Sequence, residues 1–418
     1  MGGLSLVSMY GSEKDIKHNL FLFFIDGVVY TPATTLISIT AVIPYFMAQL
    51  GAATFQIGLA ASLALVCNFV AQPFFGQIAS RSSRMHMTFL KILLLQRFIF
   101  LAFVLIMPFV AHNGAVLVWI FLLFWSLFNI FVGSYGVFYT PLLLKLLPPD
   151  RRGAIRGMGY AIGSGLGLGA AALIHVLLVH IRFPYNYTLI FALSVVLMVI
   201  DALIYFFIRM PREGIEPNEP MGMVRYIREM PSSISKNAPF RAMILTCMFL
   251  VAANSLLPYY TLYAIKVFSA AESHVAALAA LAVIANAAGY IIFGAAVDNW
   301  GPRTTLRISA MIIILAGALA LFTHSLGFLY AAWALANFGN IAYSITSSLL
   351  YAEVCPPSKL PLYVGVYSII SLALSSAVLL LLAPVLERIG FMVLFATVVI
   401  CGVLSLICNL FILRIKRR

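Results

Sequence analysis

Twelve long apolar runs separated by short gaps constrain this chain more than any other feature. They fall at about residues 19–49, 56–79, 88–111, 115–146, 153–181, 187–209, 240–266, 274–297, 304–324, 326–353, 361–386 and 389–413. A membrane-spanning helix needs roughly 20 apolar residues, and each run is long enough. Only 9% of the 418 residues are charged and 63% are hydrophobic, against about 25% charged in soluble domains. The expected fold class is therefore an all-α polytopic membrane protein with twelve transmembrane helices, here called spans 1 to 12. The first run is long enough to span and does not read as a cleavable signal peptide.

A repeat then divides the spans. Shifting Trp125, Asn129, Tyr135, Leu142, Pro148, Pro149 and Gly157 by 208 residues lands on Trp333, Asn337, Tyr343, Leu350, Pro356, Pro357 and Gly365. Identities at one fixed offset, with both Trp and both Pro-Pro pairs among them, mark two related six-span halves. Their boundaries are read as 1–210 and 240–418, joined by a cytoplasmic linker at 211–239 whose MGMVRYIREM segment has the character of a short surface helix. The two halves run in the same direction, so the fold class includes a parallel pseudo-two-fold repeat of the kind that supports alternating access.

A net charge of +13 would suit a nucleic-acid partner, but the basic residues occupy short gaps between spans. Alternate gaps carry Lys14 and Lys17, Arg81 and Arg84, Arg151, Arg152 and Arg156, Arg303 and Arg307, Lys359, and the basic tail. The opposite gaps hold little beyond Arg182, Lys266 and Arg388. That asymmetry places both termini in the cytoplasm. Short loops favour a bacterial inner membrane as the location. The cysteines at 67, 247, 355, 401 and 408 are scattered, without metal-ligand or redox spacing. No metal, nucleophile–base pair or cofactor loop is evident, so an enzyme is not expected, and neither is a cofactor beyond a proton gradient as driving force.

Two gap motifs carry a family resemblance. Gly76-Gln-Ile-Ala-Ser80-Arg81-Ser-Ser83-Arg84 joins spans 2 and 3, and Gly294-Ala-Ala-Val-Asp298-Asn299-Trp-Gly301-Pro-Arg303 joins spans 8 and 9. Each resembles the Gly-x-x-x-Asp-Arg-x-Gly-Arg signature of the major facilitator superfamily. With the repeat, the resemblance covers nearly the whole chain. It implies that Asp298 meets the start of span 5 near Arg152, where helix N–H groups favour an anion. Ser80 replaces the first acidic residue, so the implied cytoplasmic gate is asymmetric. Lys145 and Glu353 are equivalent under the repeat offset, and either pair across the halves or snorkel separately. The span 5 run Gly159-Tyr-Ala-Ile-Gly163-Ser164-Gly165-Leu-Gly167 is similar to the family's antiporter signature but lacks its Pro, so helix packing is the expected role.

Charges inside spans cost about 2.5–3.5 kcal/mol each on insertion scales and are functional candidates by default. Asp26, Arg97 and Asp201 lie at similar depth in spans 1, 3 and 6, roughly 10–15 Å from the cytoplasmic ends at about 1.5 Å per residue. The resemblance implies that spans 1, 4, 7 and 10 line a central cavity and that spans 3 and 6 stand outside it. Arg97 and Asp201 then form a structural ion pair and Asp26 faces the lumen alone as a proton-coupling residue, an Asp26–Arg97 pair being the alternative. Asp201 and His175 are further proton-coupling candidates.

Polar residues on the cavity spans give a candidate lining. Span 10 carries Asn337, Asn340, Ser344 and Ser347 along one stripe, which cannot face lipid. Span 1 offers Tyr30, Thr34 and Ser38, span 4 offers Asn129 and Tyr135, and span 7 offers Asn254, Tyr259 and Tyr260 around Pro258. Span 11 repeats the pattern with Tyr367, Ser371 and Ser375. Such a neutral lining suits a neutral or amphipathic small solute. The expected function is a secondary active transporter of a small organic solute, coupled to protons and active as a monomer in the lipid bilayer. The alternatives are an exporter of lipophilic or cationic compounds and a non-transporting membrane sensor.

Overall fold

The computed structural model describes residues 12–210, 234–235, 237–270, 273–323, 325–354 and 360–411. The linker segment read as a surface helix lies outside these residues. The described residues contain helices and no strand. In chain order the helices are α1 (Glu13–Leu36), α2 (Val42–Gln49), α3 (Thr54–Arg81), α4 (Met85–Val110), α5 (Gly114–Val132), α6 (Ser134–Leu146), α7 (Pro149–His180) and α8 (Tyr185–Ile204). There follow α9 (Ala238–Ser255), α10 (Leu257–Phe268), α11 (Ser273–Leu321), α12 (Leu326–Val354), α13 (Leu360–Ile389) and α14 (Met392–Phe411).

Eleven helical stretches among the described residues are long and apolar enough to cross a membrane. The 29-residue helix α12 is not among them. Its length suffices, and Asn337, Asn340 and Ser344 on its polar stripe lower its hydropathy. Counted with α12, the spans are the twelve read from the sequence. Three of them are broken: α1 and α2 together make span 1, interrupted at residues 37–41, α5 and α6 make span 4, interrupted at Gly133, and α9 and α10 make span 7, interrupted ahead of Pro258. Within α11, Gly301 holds φ 77° and separates spans 8 and 9, a backbone conformation that only glycine adopts without strain.

The chain divides into two compact units. One comprises the described residues of Met1–Ser38 and Cys67–Pro220, the other those of Ile39–Val66 and Met221–Arg418. In the first unit Phe100 contacts Trp125, Phe128 and Phe191 as part of an aromatic core. Glycines bring α1 and α7 into backbone contact. A Cβ at Gly159 would lie 2.7 Å from the Phe24 carbonyl oxygen, and one at Gly163 would lie 2.5 Å from that of Gly27. Gly159 and Gly163 of span 5 are thus packing residues. Gly163→Ala is expected to lower stability by about 1–3 kcal/mol through overpacking. Gly165→Ala, whose Cβ meets nothing within 4 Å, leaves it unchanged; melting temperatures in detergent read the contrast.

Polar contacts fix the ends of this unit. Ser194 Oγ donates to the Ala33 carbonyl at 2.8 Å, satisfying one of the orphan carbonyls in the last turn of α1. At the other end Asn19 donates to the Arg209 carbonyl and accepts from its N–H at 2.8 and 3.0 Å.

In the second unit Trp333 is fully buried and donates its indole N–H to the Leu278 carbonyl at 2.8 Å. Asn129 donates to the Trp125 carbonyl at 2.8 Å, and Asn337 donates to the Trp333 carbonyl at 2.9 Å. The repeat read from the sequence is therefore repeated as a hydrogen bond, one in each unit.

Candidate functional site

The chemistry of the first unit concentrates where α1, α4, α6 and α8 approach one another. Arg97 is 1% exposed and projects from α4. Its Nη2 donates to Asp201 Oδ2 at 3.2 Å and to the Tyr135 hydroxyl at 2.6 Å. Its Nε donates to the Met198 carbonyl at 3.1 Å, and its Nη1 donates to Gln96 Oε1. Gln96 in turn donates to the Phe128 carbonyl. The guanidinium is thus held by a neutral acceptor set and one carboxylate.

Asp26 departs from the sequence reading. It does not stand alone facing a lumen: it is 5% exposed, accepts from the Tyr205 hydroxyl at 2.8 Å and interacts with Asp201. Arg97 pairs with Asp201 at 3.2 Å. Tyr205 explains the difference. It follows Asp201 by four residues, on the same helical face, and reaches the α1 acid. Asp201 Oδ1 is buried and meets no donor among the described residues. The cluster thus holds one guanidinium and two buried carboxyl groups. His175 is exposed on α7, outside the cluster. Tyr30 packs against Tyr135 with ring centroids 5.9 Å apart, while Thr34 bonds back to the Tyr30 carbonyl of its own helix. Ser38 is half-buried near the end of α1.

The second unit holds a cavity of about 330 Å³. Thr40, Asn254, Ser255, Asn340, Tyr343 and Ser371 are among its polar lining residues, and Ala61, Leu65, Val251 and Leu379 among its apolar ones. Asn254 and Asn340 lie where the sequence placed them, and Ser371 and Ser375 of the span 11 stripe line the cavity as well. Tyr259, Tyr260, Asn337, Ser344 and Ser347 do not line it. Tyr259 is buried and donates to the Leu379 carbonyl at 2.5 Å, Tyr260 packs on Trp333 and Phe395, and Asn337 is used within α12. Asn129 is likewise used within α5.

Thr40 and Ser255 escaped the sequence reading because both flank breaks, where helical periodicity stops. Discontinuous helices of this kind place irregular backbone against cavities. Thr261 Oγ1 donates to the Thr40 carbonyl at 2.7 Å, holding one such segment in place.

Of the loop residues, Arg84 is exposed, and Gly76, Gly294, Arg303 and Lys145 are half-buried. The side chains of Arg81, Arg152, Asp298 and Glu353 lie outside the described set. An anion on a helix N-terminus occurs elsewhere. Glu387 Oε1 accepts from the Thr54 N–H at the start of α3 at 3.0 Å, and Lys266 Nζ donates to Thr54 Oγ1 at 3.0 Å. Among the described residues no group of His, Cys, Asp and Glu is arranged to hold a metal ion.

Membrane-length helices in a repeated arrangement, with a buried ionisable cluster and a neutral cavity, define a polytopic membrane transporter. The sequence pattern of the Major Facilitator Superfamily matches residues 21–271 and again 242–418, and the chain belongs to that family. It is 25% identical over 333 residues to the "Multidrug resistance protein MdtG" of Dickeya zeae (strain Ech586), covering 77% of this chain and 75% of that one. The fold is similar to that of the nucleoside transporter NupG, with TM-score 0.70 and 11% identity over 96% of this chain and 100% of that one. It is also similar to a bacterial homologue of the human lysosomal transporter Spinster, with TM-score 0.65 and 16% identity over 98% and 100% of the two chains. A bacterial homologue of the iron transporter ferroportin gives TM-score 0.66 and 15% identity over 95% and 98%.

Proposed function

We propose that this protein is a secondary active transporter that moves a small organic solute by alternating access and couples the movement to protons. The supporting observation is the charge count in the first unit: Arg97, Asp201 and Asp26 are each at most 5% exposed, one cation with two carboxyl groups. With one proton bound the cluster is neutral; without it the cluster carries a buried negative charge, which is costly away from water. The proton is held between Asp26 and Asp201, where it also gives Asp201 Oδ1 the donor it lacks. Tyr205 orients Asp26 and Tyr135 orients Arg97. A site whose charge depends on proton occupancy responds to whichever side of the membrane it is open to, and that is the property coupling requires.

The second unit supplies the solute cavity. Its apolar walls, with the resemblance to a multidrug-resistance protein, favour an exporter of lipophilic compounds as the second reading. We place the protein in a bacterial inner membrane with both termini cytoplasmic, from the Lys and Arg distribution. Reconstitution into liposomes holding a pH-sensitive dye tests the proposal. Wild-type protein is expected to move protons when a transported solute is added, and Asp26→Asn to abolish that signal. Proton movement surviving in Asp26→Asn refutes the assignment, and solute movement that follows a Na⁺ gradient instead replaces proton coupling.

A further inference from the structure

The second-unit cavity has a chemical bias that narrows the solute class, on the reading of the protein as a transporter. Every polar group named in its lining is neutral: hydroxyls of Thr, Ser and Tyr and amides of Asn254 and Asn340, with no Asp, Glu, Lys, Arg or His among the lining residues. An ion entering such a site loses hydration and gains no counter-charge. Several of the hydroxyls are already engaged. Ser371 Oγ donates to the Tyr367 carbonyl at 2.8 Å, Ser255 Oγ donates to the Ala252 carbonyl at 2.7 Å, and the Tyr343 and Tyr367 hydroxyls pair with each other.

Asn254 differs. Its Nδ2 is buried and has no hydrogen-bond acceptor among the described residues, although its residue lines the cavity. A buried amide N–H₂ without an acceptor is a costly arrangement unless a ligand completes it. Asn254 lies next to the break before Pro258, and the half-buried residue lines the cavity. We infer that the cavity binds an uncharged solute whose carbonyl or hydroxyl oxygen draws the Asn254 side-chain amide round to donate to it, with its apolar part against Leu65, Val251 and Leu379. The volume of about 330 Å³ is suited to a single small organic molecule.

The test uses full-length protein in detergent without any gradient, so that its result is independent of proton coupling. Binding is measured by equilibrium dialysis of chloramphenicol, thiamphenicol and uridine as uncharged probes and tetraphenylphosphonium as a permanent cation. At least one uncharged probe is expected to bind and the cation not to. Asn254→Leu and Asn254→Asp, which remove the donor, weaken that binding at least about tenfold. Asn254→Gln, which keeps a donor, retains it. Melting temperatures confirm that the variants are folded. Binding of the cation in preference to all uncharged probes, binding of none of them, or uncharged binding indifferent to Asn254→Leu overturns the inference. Loss of proton coupling in liposomes with the binding pattern intact would instead strike only the coupling proposal.

Discussion

Arg97→Met is expected to destabilise the protein by about 3–5 kcal/mol, the range seen when one member of a buried ion pair is removed. The substitution keeps the length and apolar character of the stem and deletes the guanidinium. Asp26 and Asp201 then face each other without a cation, and the acceptors on Gln96, Tyr135 and Met198 lose their donors as well. A large fall in melting temperature in detergent is the readout. Arg97→Met/Asp201→Asn removes one carboxylate along with the cation and is expected to recover most of the loss, since replacing both partners costs far less than orphaning one. A fall of under about 1 kcal/mol in the single variant, the range of an exposed pair, would show that water reaches the cluster.

The membrane class and the repeat were legible in the sequence because apolar length and a fixed offset are one-dimensional properties. Trp125 and Trp333, with their Asn partners four residues on, needed no structure to be paired. What the asparagines do was not legible. Asn129 and Asn337 return a hydrogen bond to their own helix, so a polar residue on a cavity span need not touch the cavity. Asn340, three residues along, does. Depth along the helices grouped Asp26, Arg97 and Asp201, and the family resemblance chose the Arg97–Asp201 pair but left Asp26 apart, because lateral neighbours are set by packing. The Asp201 and Tyr205 spacing on one face was the signal that would have joined them. Motif resemblance drew attention to Asp298, whose side chain lies outside the described residues; the carboxylate on a helix N-terminus at Glu387 and Thr54 has no such motif in the sequence.

The offset of the repeat also sets an amide in the second unit against a carboxylate in the first. Asn409 stands 208 residues after Asp201, is 1% exposed, and accepts from Arg307 Nε at 2.8 Å. The second unit therefore keeps an arginine partner at this position but with an amide, which stays neutral and does not titrate. The carboxylate is confined to the first unit, as expected if its protonation matters beyond holding an arginine.

Asp201→Asn places that same amide in the first unit and is expected to uncouple transport without unfolding the protein. Arg97 keeps an acceptor at position 201 and gains Asp26 as its only counter-charge, so the cluster is neutral with no proton bound. Asp26→Asn reaches the same balance from the other side, leaving Arg97 with Asp201. The two variants should therefore behave alike. In liposomes each is expected to equilibrate the solute and to lose accumulation against its gradient, a drop from uphill accumulation to a concentration ratio near one. Both should melt well above Arg97→Met, because neither leaves an unbalanced buried charge. The charge count fails if Asp201→Asn still drives uphill transport while Asp26→Asn does not. Asp26 alone would then carry the proton, and Asp201 would serve only to hold Arg97.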